Sequence, residues 1–116
     1  MQRDPRAFLW DVRDAAFAIQ LFTAGLDDQQ YKGNALVQAA VERKFEIMGE
    51  ALNQLAKTDS ALAARVPDVA QIVAFRNQLI HGYAMVNPAT VWRVIQSSLP
   101  GLLAVVNDLL DELGSN

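Results

Sequence analysis

Residues 34–57 read NALVQAAVERKFEIMGEALNQLAK. Within this stretch Val41, Phe45, Met48, Leu52 and Leu55 recur at alternating intervals of four and three. Those intervals return a side chain to one face of an α-helix, whereas a strand would place every second residue there. Ala40, Ile47 and Ala51 add a second strip and widen the face that is expected to be buried. Asn34 is a suitable cap, so the spacing predicts a helix from there to about Lys57. Gly49 interrupts it. A glycine inside a helix costs about 1 kcal/mol relative to alanine, and its presence predicts that another backbone comes close at that point.

The same periodicity extends in both directions. Upstream, Asp4-Pro5 pairs a cap with a proline at the first helical position. Phe8, Val12, Ala15, Ile19 and Phe22 form one stripe ahead of a stop at Gly25. Residues 27–33 are polar and read as a turn. Downstream, residues 60–64 read as a short turn of helix before Val66-Pro67-Asp68 opens a third segment. Its apolar side is Val69, Ile72, Val73 and Leu79, and Gly82 ends or distorts it. The last segment starts at Asn87-Pro88. Val91, Ile95, Leu99, Leu102, Val106, Leu109 and Leu113 hold one stripe across Pro100. We read a single helix kinked at Pro100, because a break is expected to reset the phase. Four or five amphipathic helices with short connections make an all-α, up-and-down bundle, with residues 1–116 as one domain.

Composition narrows the function classes. No uninterrupted apolar run reaches the roughly eighteen residues of a membrane span. The opening MQRDPR leads into charged residues rather than an apolar signal core, so a cytoplasmic location without membrane association is expected. The chain lacks cysteine, which removes disulfides and thiolate metal ligands. Its one histidine, His81, cannot by itself complete a zinc site of nitrogen and sulfur ligands. No metal and no cofactor are expected. A net charge of -3 and a pI near 4.9 exclude a general nucleic-acid coat protein, which would carry a basic face. A local cationic cluster on an acidic molecule remains compatible with phosphate chemistry.

Such a cluster falls in RNQLIHGY, residues 76–83. Arginine offers a planar fork of donors to phosphate oxygens. Histidine titrates near neutrality and serves as general base or acid. RNA carries its own nucleophile, the 2′-hydroxyl, so Arg76 and His81 would suffice for cleavage if they converged, with Asn77 orienting the phosphate or the imidazole. On an ideal helix, residues five apart point ~140° from one another. Convergence therefore needs unwinding near Gly82 or a second copy of the chain across a two-fold axis. On spacing alone the ordinary readings are structural: a hydrogen-bonding histidine, a solvated arginine, and a tyrosine at the core edge.

The full pattern narrows the choice. Arg-x4-His-x-Tyr, written by Arg76, His81 and Tyr83, resembles the signature of HepT-like proteins in the HEPN superfamily. Residues 47–51, IMGEA, are similar to that family's Gly-Glu-Ala segment; Arg76-Asn77 matches its Arg-polar opening; Val91-Trp92 and Leu99-Pro100 resemble its final helix. The likeness spans nearly the whole chain. It departs at Asn87, where the family pattern leads one to expect an acidic residue.

This resemblance implies a helical-bundle homodimer whose two Arg/His motifs face a shared cleft. It implies a metal-independent ribonuclease acting as the toxin of a toxin–antitoxin pair. The partner would be a cognate MNT-type nucleotidyltransferase that transfers AMP from ATP to the motif tyrosine. Carried over, Arg76 and His81 are catalytic, Asn77 supports them, and Tyr83 is the modified residue. From the residues themselves, Glu50 either projects towards the motif and tunes His81 or has a simple surface or salt-bridge role, and Arg43, Lys44 and Arg93 are candidates for a basic rim. Two other readings stand beside this one. One is a non-catalytic partner subunit of a nucleotidyltransferase, motivated by an apolar content of 52%. The other is a purely structural dimer, in which Arg76 and His81 substitutions change stability alone.

Overall fold

The computed structural model describes residues 3–82 and 86–114, and every described regular element is helical. The long helices are α1 (Pro5–Thr23), α3 (Ala35–Thr58), α5 (Val69–His81), α6 (Pro88–Ser97) and α7 (Leu99–Leu113). Two short ones, α2 (Asp28–Lys32) and α4 (Ser60–Ala63), complete the order. The predicted starts hold for stereochemical reasons. The Asp4 carboxylate accepts from the Arg6 amide, Asn34 Oδ1 from the Val37 amide, and Asn87 Oδ1 from the Ala89 amide. Each satisfies a donor that a helix start leaves unpaired.

α3 lies at the centre of the fold, against α1 on one side and α5 on the other. Its five predicted stripe residues are all fully buried. Along the α3–α5 seam, Phe45 meets Phe75 edge-on at 5.1 Å, and Gly49 lies against Ile72 and Arg76. Gln38 and Glu42 share a cavity with Gln78 and Gly82 whereas Gly49, further along α3, meets Ile72, so the two helices run antiparallel. α7 packs against α1, and the Arg6 guanidinium donates to the Gly114 carbonyl at 2.7 Å, placing the start of one beside the end of the other. α2 and α6 meet through Tyr31 and Trp92, whose ring centroids are 5.3 Å apart.

Some expectations need correction. The last segment is two helices bent by 44° at Ser98, with Pro100 in the first turn of α7 rather than at a kink within one helix. The stripe keeps its phase because Val91, Val94, Ile95, Leu99 and Leu102 face one core from both sides of the bend. Residues 27–33 are not a plain turn. Asp27 and Gln30 form a reciprocal capping box that starts α2 and carries Tyr31 into full burial. On α1, Phe22 leaves the stripe and is 36% exposed, while Thr23 takes the inward position with its hydroxyl donating to the Ile19 carbonyl at 2.8 Å. No single helix among the described residues is long and apolar enough to cross a membrane.

Candidate active site

Gly49 is where the predicted close approach occurs. A Cβ added there would stand 2.3 Å from Arg76 Cβ and 2.8 Å from Arg76 Cγ, well inside any real contact. The missing side chain lets α5 sit low on α3 and brings the stem of Arg76 across the α3 backbone. The guanidinium is thereby delivered to Glu50, one residue further along α3, and its Nη2 pairs with Glu50 Oε2. Nη1 donates to Asn77 Oδ1 at 2.8 Å, and Nε is buried without a hydrogen-bond partner among the described residues. Gln54 Nε2 donates to the other Glu50 oxygen at 3.1 Å. Arg76 is thus held by three α3 positions (Gly49, Glu50 and, through Glu50, Gln54) and by its own neighbour. The Arg76 side chain is 22% exposed and that of Glu50 46%.

This cluster forms part of the wall of an open cleft of about 720 Å³ between α3, the beginning of α1, and α5. Arg43 reaches the same cleft and is paired with Glu46 at 3.3 Å. Lys57 lines its far end, and Phe8, Ile47 and Ile80 supply apolar surface. Arg93, proposed for the rim, is on α6 and is not among the lining residues. Lys44, on α3, is likewise absent from the lining.

His81 is the exposed last residue of α5. Unwinding does not bring it to Arg76 within one chain. The helix continues through His81, and Gly82, at φ +61°, closes it by donating its backbone N–H to the Gln78 carbonyl at 3.1 Å. Arg76 and His81 are therefore separated by about 7.5 Å along one regular axis and ~140° around it. Arg76 faces the cleft, whereas His81 is not among its lining residues. Tyr83 lies outside the described residues.

The opposite side of the α3–α5 seam carries a smaller cavity of about 370 Å³, lined by Glu42 and Gln78 among others. Burial, followed by the nearby charge of Glu46, raises the Glu42 carboxyl above the ordinary range. Tyr31, whose hydroxyl is buried without a hydrogen-bond partner among the described residues, has its ionisation pushed far up by burial and secondarily by Glu42. The periodicity overlooked Tyr31; the Asp27…Gln30 pair just before it was the available signal. No group of three or more His, Cys, Asp or Glu side chains able to hold a metal ion occurs among the described residues.

Residues 12–109 match the family model described as Ribonuclease HepT-like. A Methanocaldococcus jannaschii protein named "Putative RNase" is 30% identical over 101 residues, covering 85% of this chain and 90% of that protein. "Probable ribonuclease HepT" of Thermococcus cleftensis is 28% identical over 102 residues, 88% and 92% of the two chains. A "Putative RNase" of Caldanaerobacter subterraneus subsp. tengcongensis is 28% identical over 111 residues, 95% and 97% of the two. No solved structure matches. With its family match covering all but the two ends, and with an Arg76–His81 helix seated on a Gly49-Glu50 step, the chain belongs to the HepT-like family of the HEPN superfamily.

Proposed function

We propose that the protein is a cytoplasmic endoribonuclease toxin that cleaves RNA without a metal ion, through Arg76 and His81 in a cleft shared by two copies of the chain. The observation that carries this reading is the placement of Arg76. Its guanidinium stands in an open cleft with its side chain largely buried, positioned for an anion but paired with Glu50. In the reaction His81 takes the proton from the 2′-hydroxyl, whose oxygen attacks the adjacent phosphorus. Arg76 stabilises the charge that accumulates on the phosphoryl oxygens. The P–O5′ bond breaks, the leaving oxygen is protonated, and the products are a 2′,3′-cyclic phosphate and a 5′-hydroxyl. Asn77, bonded to Arg76, helps fix the guanidinium.

A dimer would complete the scheme: one regular helix separates the two groups, and a two-fold axis crossing α5 at right angles between them would bring Arg76 of one copy towards His81 of the other. Control would come from a cognate nucleotidyltransferase. Tyr83 attacks the α-phosphorus of ATP, pyrophosphate leaves, and the AMP installed near the motif repels RNA. A second reading, a non-catalytic partner subunit of such a transferase, is favoured by Phe17 and Leu21, one turn apart on α1 and 63% and 66% exposed.

One experiment separates the two. The purified, unmodified protein is incubated with total RNA beside Arg76→Ala and His81→Ala. Cleavage that both substitutions remove, while both variants remain folded, establishes the ribonuclease. Intact RNA with a dimer free of AMP supports the partner-subunit reading. Intact mass after co-expression with a cognate nucleotidyltransferase, for wild type and Tyr83→Phe, tests the modification.

A further inference from the structure

Glu50 presents a conflict that the scheme above leaves unresolved. Of the Arg76 guanidinium nitrogens, Nε is buried and Nη1 is bonded to Asn77, so a substrate phosphate and the Glu50 carboxylate, both anions, compete for Nη2. They cannot occupy it together. The carboxylate is not held by Arg76 alone, however, since its second oxygen accepts from Gln54 Nε2 at 3.1 Å, one helical turn further along α3. Gln54 also lines the cleft, so the carboxylate has a place to remain after it gives up Arg76. The stem of Arg76 cannot follow it, because it is wedged over Gly49.

We infer that Glu50 is a positioning residue of the site: its carboxylate holds the Arg76 guanidinium in the cleft until a substrate phosphate replaces it, and Gln54 retains the displaced carboxylate. The inference rests on the ribonuclease reading for the identity of the phosphate. Glu50 costs affinity, because every productive encounter displaces it, and it benefits turnover, because Arg76 is already extended when RNA arrives. Gln54 sets how readily the exchange occurs.

The test uses the full chain and two probes, a single-stranded RNA methylated at every 2′-oxygen for binding, and the same sequence unmodified for turnover. Glu50→Gln keeps an acceptor and removes the charge. It is expected to bind the methylated RNA about fivefold more tightly, the size of one exposed ion pair. Its plot of log affinity against log salt is expected to steepen by about 0.7, the increment of one phosphate contact on a single strand, because no displaced carboxylate is left to take up a counterion in exchange. KM and kcat both fall on cleavable RNA. Gln54→Leu works in the opposite sense, weakening binding severalfold because the carboxylate stays on Arg76 (an order-of-magnitude expectation from the same pair). This second variant keeps the inference testable should Glu50→Gln fold poorly. Wild-type affinity and salt slope in Glu50→Gln, with cleavage intact, would overturn the positioning role alone. The expected shifts without cleavage by any variant would overturn the ribonuclease reading and leave the role of Glu50 standing. No RNA binding by any variant would overturn both.

Discussion

α5 and α7 are of similar length, 13 and 15 residues, yet they are anchored differently. α7 buries Leu99, Leu102, Val106, Leu109 and Leu110. α5 buries Ile72 and Phe75, packs Val69, Val73 and Leu79 partly against the core, leaves Ile80 48% exposed, and adds the Gly49 approach and the Arg76–Glu50 pair. α7 is held by area removed from water, at roughly 25 cal/mol per Å². α5 has a smaller apolar contact, to which a shape fit and a polar clamp are added that place a guanidinium. On the proposed function, α7 serves mainly stability and α5 carries the chemistry. Substitutions in the two should therefore separate cleanly into loss of fold and loss of activity.

The largest effect expected is on turnover. His81→Ala should lower RNA cleavage by about 10² to 10⁴-fold, the usual range for a general acid–base group. Its melting temperature should stay close to wild type, since His81 is exposed. A large drop in melting temperature would break the division of roles. Leu102→Ala is the counterpart on α7 and should cost about 3 kcal/mol in urea unfolding, with cleavage per folded molecule unchanged. Gly49→Ala should cross the boundary. Its Cβ collides with the Arg76 stem, so about 2 kcal/mol of stability and most of the activity should be lost together. Activity surviving that substitution would show that Arg76 is not placed by the seam.

The smallest effect concerns Glu42 on the other side of the seam. Burial, then the charge of Glu46, raises its pKa, so the fold favours the protonated form. That contribution is fully present below the ordinary glutamate range and is lost as pH rises through the raised value. Glu42→Gln should therefore melt slightly higher than wild type at pH 7 and show no gain below about pH 4. A gain that persists in acid would assign the effect to packing instead.

The parts of the fold readable from sequence are those with a period. The stripe from Val41 to Leu55 names its own buried face, and all five residues lie in the core. The bend at Ser98 left no mark in that signal, because Val91, Ile95, Leu99 and Leu102 keep their intervals across it. α2 was missed because a single helical turn has no period, and Tyr31 is its one buried anchor. At the site, Arg76 stood out as a candidate through its neighbours, and Gly49 announced a close approach. That the two observations were halves of one contact was not visible. Glu50 and Arg76 are 26 positions apart, and only the packing of α5 on α3 joins them.

The Arg6 hydrogen bond to the Gly114 carbonyl brings together residues 108 positions apart. It makes the bundle a nearly closed ring in which the first helix begins where the last one finishes. Chain direction then matters less than adjacency. A short linker across that junction would allow the polypeptide to be reopened at the exposed Ala24-Gly25 turn, giving a circular permutant with new ends and an undisturbed α3–α5 seam.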